Sequence, residues 1–469
     1  MKAFKAIVKL TLQNAVRSHI FQLLLIVLAI CAIGIPLTVA GDGTAGGFIQ
    51  VALLYSFSGV SAILALSSLW VSCFIMTQDI DSYQLHMVVT KPVSRVKIWL
   101  AKYCGVLLMH AFLLIVSALA IYFIIIWQFT RQDFSKTERE KIESEVLVGR
   151  RVFKFAPPNI EERSKALLRE RLEKVAKTGE RISITTKNEK DILSEMRKLA
   201  IAENAQAKYD EIREWRFENF PVNAKERQAL FLRYRTYVGK VSTKDQRMTT
   251  GVWYIGVPQF ERDSKGNIID ESKYQIRYYQ YPPSTIRSGE FDEIVLPKQM
   301  NVVTPDGKVF LAYRNLDPER QTQYFQPSDG PKVLMKVTGF FPNYCRAVAV
   351  ILLELIILTG LGCAFASVLS LPTAIFMSVA YLFFGSFATY LAESAADDKM
   401  FKILSDVLLF FVIPLQKFGV TDMVSKGELI ELSFLGKLIL SYFILRTLPL
   451  VIAGIFIYKR REIGLVVRK

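Results

Sequence analysis

Histidine and cysteine are scarce in this chain, and no loop in it has the form that cradles a phosphate. His19, His86 and His110 stand isolated among 469 residues, so no histidine metal site is legible in the spacing. The patterns H-E-x-x-H, G-x-S-x-G, Cys-x-x-Cys and G-x-x-x-x-G-K-S/T are all missing. With them go the signatures of a metalloprotease, an α/β-hydrolase, a dithiol site and a nucleotide hydrolase. These absences point away from an enzyme, and no metal or bound cofactor is expected. Cys31, Cys73, Cys104, Cys345 and Cys363 all lie in or beside apolar runs, which leaves the polar middle of the chain without a disulfide framework.

Charge is missing in blocks. Phe48 to Met76 and Tyr103 to Thr130 contain no Asp, Glu, Lys or Arg over 29 and 28 residues. Each run exceeds the ~20 residues that cross ~30 Å of hydrocarbon, so both read as membrane-spanning helices. Ile20 to Ala40 reads as an earlier span. Its Thr38-Val39-Ala40 end imitates a signal-peptidase site, but the run is long enough to be retained. Between Ala347 and Ala392 the one charged residue is Glu354; a break at Ser370-Leu371-Pro372-Thr373 divides this stretch into a fourth and a fifth span. Leu438 to Tyr458 is the sixth. Val407 to Leu415 is apolar but too short to cross, and predicts a re-entrant or interfacial pair of half-helices near residues 400–418.

What charge there is has a place. Lys2, Lys5, Lys9 and Arg17 alternate with Phe4, Ile7, Val8, Leu10, Leu12 and Val16, an amphipathic basic helix suited to a membrane interface. Of the 59 basic and 43 acidic residues, 39 and 31 fall between Arg131 and Thr338, so that middle is soluble in character. Ser135-x-x-Glu138, Asn159-x-x-Glu162 and Asn223-x-x-Glu226 resemble capping boxes, and Asn188 to Asn219 predicts a long helix. From Gly251 the pattern changes to short β-branched and aromatic runs at 252–257, 274–281, 293–296, 308–313 and 332–337. Within them Tyr278, Tyr279 and Tyr281, with Arg277 and Arg287 nearby, offer either a binding surface or a strand edge.

The expected fold is therefore an α-helical polytopic membrane protein with six transmembrane helices. Residues 1–130 hold the amphipathic helix and spans one to three, and residues 341–469 hold spans four to six. Residues 131–340 form an extracytoplasmic α+β domain, a helical section beside a small antiparallel sandwich. Lys91, Arg95, Lys97 and Lys102 between spans two and three, and Lys459, Arg460, Arg461, Arg468 and Lys469 at the end, set the orientation by the excess of positive charge in short cytoplasmic loops. Both termini are then cytoplasmic. Glu354 and Arg446 fall at matching depth by a count of ~1.5 Å per residue and are expected to pair, since an ionisable group inside a span is costly alone.

The segment from Thr77 to Lys102 resembles the cytoplasmic loop between the second and third spans of type-2 ATP-binding-cassette (ABC) exporter permeases. That family's pattern runs from an acidic residue through an apolar triplet and a small polar residue to Lys/Arg-Pro-Val/Ile-Ser-Arg and a later Lys. Asp79 matches the acid, Met87, Val88 and Val89 the triplet, Thr90 the small residue, Lys91, Pro92, Val93, Ser94 and Arg95 the core, and Lys102 the last Lys. Tyr83 stands where the family has Gly, a departure that bears on the turn. Phe411 to Phe418 is similar to the apolar-Pro-x-x-x-Phe stretch before the family's last span. The resemblance implies a permease subunit whose loop, with Asp79, Asp81, Thr90, Lys91, Pro92, Ser94, Arg95 and Lys97, takes up the closure of a separate ATPase. It implies two copies of that ATPase carrying ATP and magnesium, a second permease copy or homologue, and a bacterial inner membrane, with no nucleic acid among the partners. Two readings stand beside it: a mechanotransmitting anchor that acts through its outer domain without transport, and an assembly platform that uses no ATPase.

Overall fold

The computed structural model describes residues 2–39, 45–81, 93–156, 159–178, 189–221, 228–239, 248–260, 273–326, 329–394 and 412–460, with Met400, Ile403, Leu404, Asp406, Val407 and Leu409 between the last two ranges. Its contacts divide it into two units, one of residues 1–149 with 338–469 and one of 150–337.

In the first unit, among the described residues, six helices are long and apolar enough to cross a membrane: His19–Thr38, Gly46–Gln78, Arg95–Arg131, Phe340–Val368, Leu371–Ala388 and Leu432–Arg460. They are compatible with a multi-pass membrane protein. The helices alternate in direction, because their ends sort into two groups. Cys73 and Met76 late in the second helix, Trp99 early in the third, Cys363 and Ala366 late in the fourth, Ala374 early in the fifth and Tyr458 late in the sixth form one cluster. Phe57, Phe129, Tyr344 and Leu438 belong to the cluster toward the other end. The fourth helix is the axle: 72% of its most apolar stretch is buried, against 22% for the first and fifth. Leu23, Ile26, Phe376 and Phe383 on those outer helices are exposed, and exposed apolar side chains of this kind mark a side that meets a membrane or a partner.

Small residues let the axle approach its neighbours. A Cβ on Gly362 would stand 1.9 Å from Ser72 Oγ of the second helix, and one on Gly454 of the sixth would meet Ala364 of the fourth at 2.9 Å. Small-residue contacts of this type replace the hydrophobic effect inside a membrane, where lipid is as apolar as leucine.

Of the half-helices predicted near residues 400–418, Met400, Ile403, Leu404, Asp406, Val407 and Leu409 are helical, and the chain is described continuously from Val412. There the chain forms a 3₁₀ turn at Leu415–Phe418 and a five-residue helix at Thr421–Ser425. Gly427, at φ 66, turns the chain where a Cβ would collide with the Glu145 carbonyl oxygen at 2.3 Å. The sixth helix begins at Leu432, and its stretch Ile439–Thr447 is π-helical.

Among the described residues twelve strands follow in chain order: β1 (Val148–Lys154), β2 (Gln206–Ala207), β3 (Ile212–Phe217), β4 (Leu230–Arg235), β5 (Tyr237–Val238), β6 (Met248–Phe260), β7 (Tyr274–Gln280), β8 (Ser284–Arg287), β9 (Phe291–Leu296), β10 (Val309–Asn315), β11 (Gln323–Tyr324) and β12 (Lys332–Gly339). β1-β12-β4-β9 make one sheet; β3-β10-β6-β7 make another, with β8 also on β6; β2-β11-β5 make a third. The ladders between β3 and β10, β10 and β6, β6 and β7, and β4 and β9 are antiparallel. Trp215, Tyr234, Trp253, Tyr313 and Phe325 fill the core between them with tilted and edge-on ring contacts.

One expectation is corrected here. The helix predicted over Asn188 to Asn219 ends at Ala205, because Gln206–Ala207 pairs with β11 and Ile212–Phe217 pairs with β10. Trp215 and Phe217 point inward at a spacing of two, the strand period. At Ser135 the capping box forms, its side chain accepting from Glu138 N at 3.2 Å while Ser135 N donates to the Glu138 carboxylate at 2.8 Å; at Asn159 the side chain accepts from Glu162 N at 3.2 Å, but Glu162 accepts in return from the Asn159 side-chain amide at 2.9 Å. Asn223-x-x-Glu226 lies outside the described residues.

Candidate functional site

The beginning of the third helix is bolted to three others. Ser94 sits at its N-cap, its carbonyl accepting from Lys97 N and Ile98 N at 2.9 and 3.2 Å. Arg95 Nη1 donates to the Lys459 carbonyl at the end of the sixth helix, at 3.1 Å. One turn on, buried Trp99 donates from Nε1 to Ser367 Oγ of the fourth helix at 2.8 Å, and Ser367 in turn donates to the Cys363 carbonyl. Lys102 is buried, and its Nζ donates to the Ile75 carbonyl of the second helix at 2.8 Å. Tyr103 stacks on Trp99 and donates its hydroxyl to the Ile356 carbonyl at 3.1 Å. The bonds of Trp99, Lys102 and Tyr103 satisfy polar groups that burial would otherwise leave at a cost of ~1–3 kcal/mol.

Of the residues singled out in the loop, Asp79 and Asp81 close the second helix, their side chains lying outside the described residues. Thr90, Lys91 and Pro92 lie outside them too. Ser94 and Lys97 are exposed. Trp99 and Ser367 were invisible as site residues in the sequence; a Trp at a span's polar end was the available signal.

The expected pairing of Glu354 with Arg446 does not form. Glu354 is buried on the fourth helix with the Ser61 hydroxyl as its hydrogen-bonding neighbour. Arg446 donates from Nη1 to the Leu409 and Val412 carbonyls at 2.5 and 3.5 Å, and its guanidinium lies 5.1 Å over the Tyr442 ring. Equal depth sets height along the bundle but not direction around a helix. Arg446 also lies in the π-helical stretch, which departs from 3.6 residues per turn. Leu409 is helical and Val412 is not, and carbonyls at the end of a helical stretch need donors; Arg446 supplies one to each.

The segment after Pro414 is tied down as firmly. Tyr381 Oη accepts from Ile413 N at 2.9 Å, and Ser58 Oγ donates to Thr421 Oγ1 at 2.8 Å. Asn343 holds both polarities of the strand-like return, donating from Nδ2 to the Glu428 carbonyl at 2.8 Å and accepting from Ile430 N at 2.9 Å. Arg346 adds a bond to the Ile430 carbonyl at 3.0 Å. His110 bridges the Val106 carbonyl and Ser67 Oγ, a packing role.

In the second unit Arg150 and Arg233, both buried, converge on the Glu293 carboxylate. Burial pushes that carboxyl up, but the two guanidinium groups outweigh it and hold it below its ordinary value. Tyr278 and Tyr279 lie on β7, at the end of its sheet's strand order. Burial and the neighbouring Glu214 push the Tyr278 hydroxyl up to about 12. Arg277 lies 5.6 Å over the Tyr279 ring, so those two share a face, whereas Tyr281 packs against the core and Arg287 faces Glu290. Among the described residues no three His, Cys, Asp or Glu stand together as a metal site would require.

Compared with family models, with curated proteins and with solved structures, the chain matches none.

Proposed function

We propose that the chain is the permease subunit of an ABC exporter, working as a pair with two copies of a separate ATPase that binds ATP and magnesium. The observation that carries this reading is the bolted start of the third helix. Arg95, Trp99 and Lys102 connect the segment beside Ser94 to the sixth, fourth and second helices. A push on the loop from Asp79 to Lys97 would therefore move these helices together. The resemblance of that loop to the family's coupling loop supplies the source of the push, and the bacterial inner membrane, with both termini cytoplasmic, is the setting the charge bias favours.

The test is co-purification of the full chain with an ATP-binding-cassette ATPase, repeated after charge reversal at Asp79→Lys and Arg95→Glu. Capture lost in the reversed chain, with the chain itself still folded, supports the reading. Capture of no ATPase by the unaltered chain sinks it. A mechanotransmitting anchor is the second reading, favoured by the closed packing of the axle on Ser72 and Gly454. It predicts ATP-dependent movement of a fluorophore in residues 150–337 without release of vesicle contents.

A further inference from the structure

The amino-terminal helix Lys2–Arg17 does not lie free. Thr11 and Ala15 on its inner face are buried, and Thr11 stands so close to Gly105 that a Cβ there would meet it at 2.8 Å. Beside this contact the helix and the third apolar helix leave a groove of about 490 Å³, within the ~300–1,000 Å³ of pockets that hold small molecules. Val8 and Leu12 form one wall and Leu107 and Leu108 the other, with Lys5 and Lys9 also on its lining.

Lys5 and Lys9 are four residues apart and therefore neighbours on one helical face, and both are exposed. The helix contains no acidic residue, and among the described residues neither lysine has a carboxylate within ion-pair distance. An apolar slot with two unneutralised ammonium groups beside it matches one occupant in chemistry: a lipid with an apolar chain and an anionic head. We infer that this groove binds an anionic glycerophospholipid, an acyl chain along Val8, Leu12, Leu107 and Leu108 and the phosphate at Lys5 and Lys9. A lysine near an anionic lipid surface is worth about fivefold in affinity, and two are worth roughly thirtyfold. The site needs no ATPase, so it stands apart from the exporter reading.

The full chain in detergent, stripped of lipid, is titrated with dioleoylphosphatidylglycerol or with zwitterionic dioleoylphosphatidylcholine and bound lipids are counted by native mass spectrometry. One phosphatidylglycerol retained per chain at a tenfold or greater preference is expected, falling to near parity in Lys5→Gln/Lys9→Gln. These are exposed positions whose substitution leaves packing alone. Cys104 lines the groove, so its alkylation, followed by peptide mass, is expected to slow with phosphatidylglycerol and not with inorganic phosphate or glycerophosphoglycerol. Equal retention of the two lipids, or a preference unchanged in the double variant, overturns the proposal. So does protection of Cys104 by inorganic phosphate or the chain-free head.

Discussion

Glu293 carries one negative charge between the two buried guanidinium groups of Arg150 and Arg233, and its removal takes that carboxylate from both. Breaking a buried pair in this way costs ~3–5 kcal/mol, so Glu293→Gln is expected to lower the melting temperature of residues 150–337 by on the order of 10 °C, read by near-ultraviolet circular dichroism of the full chain. The same carboxyl gives a pH dependence. Its folded value lies below the unfolded one of ~4.3, so the stability it contributes is fully present above that value. It is lost as pH falls from there through the folded value. Acid titration should show the loss in the unaltered chain and none of this component in Glu293→Gln. Asn343 is the second residue whose chemistry is specific: its amide serves one donor and one acceptor of the returning chain. Asn343→Leu keeps the volume and orphans both, which predicts ~2–4 kcal/mol of destabilisation from two unmade bonds. Asn343→Asp is expected to keep the Ile430 bond and lose only the Glu428 bond, and thermal unfolding of the two variants in detergent should rank them in that order.

At the scale of elements, the close pair is the second and fourth helices at Ser72 and Gly362. Gly362→Ala puts a methyl group into Ser72, an overpacking worth ~1–3 kcal/mol, and Ser72→Gly in the same chain should recover most of the loss. Recovery absent from the double variant would place the strain elsewhere. The six apolar helices were legible because long charge-free runs are a signal of length and composition alone. The soluble elements were less so. β3 alternates Trp215 and Phe217 with Glu214 and Arg216, with Arg213 on the Trp215 side, and dense charge after a helix reads as more helix. β4 passed unread because Leu230, Phe231 and Leu232 are buried without alternation, as a strand covered on both faces is. Glu354 and Arg446 misled for a geometric reason: counting residues gives height, and neighbours are chosen by azimuth. Trp99, Lys102 and Asn343 act through partners roughly 30 to 270 residues away, which spacing in one sequence does not reveal.

For the whole molecule, the testable statement concerns sides. Ser94 and Lys208 are both exposed, and the proposed topology places the first in the cytoplasm and the second outside. A membrane-impermeant thiol reagent added to intact cells should label Lys208→Cys and leave Ser94→Cys unlabelled until the cells are opened; the reverse pattern would discard the orientation. The fit of the second helix against the fourth also has a consequence for how the chain is made. Cys73 bonds to the Gly362 carbonyl 289 residues later, and at ~5–20 residues per second the ribosome needs on the order of tens of seconds to deliver that partner. Until then Ser72 lacks the Gly362 flank that covers it, and on the proposed membrane-spanning reading that side of the second helix waits against lipid.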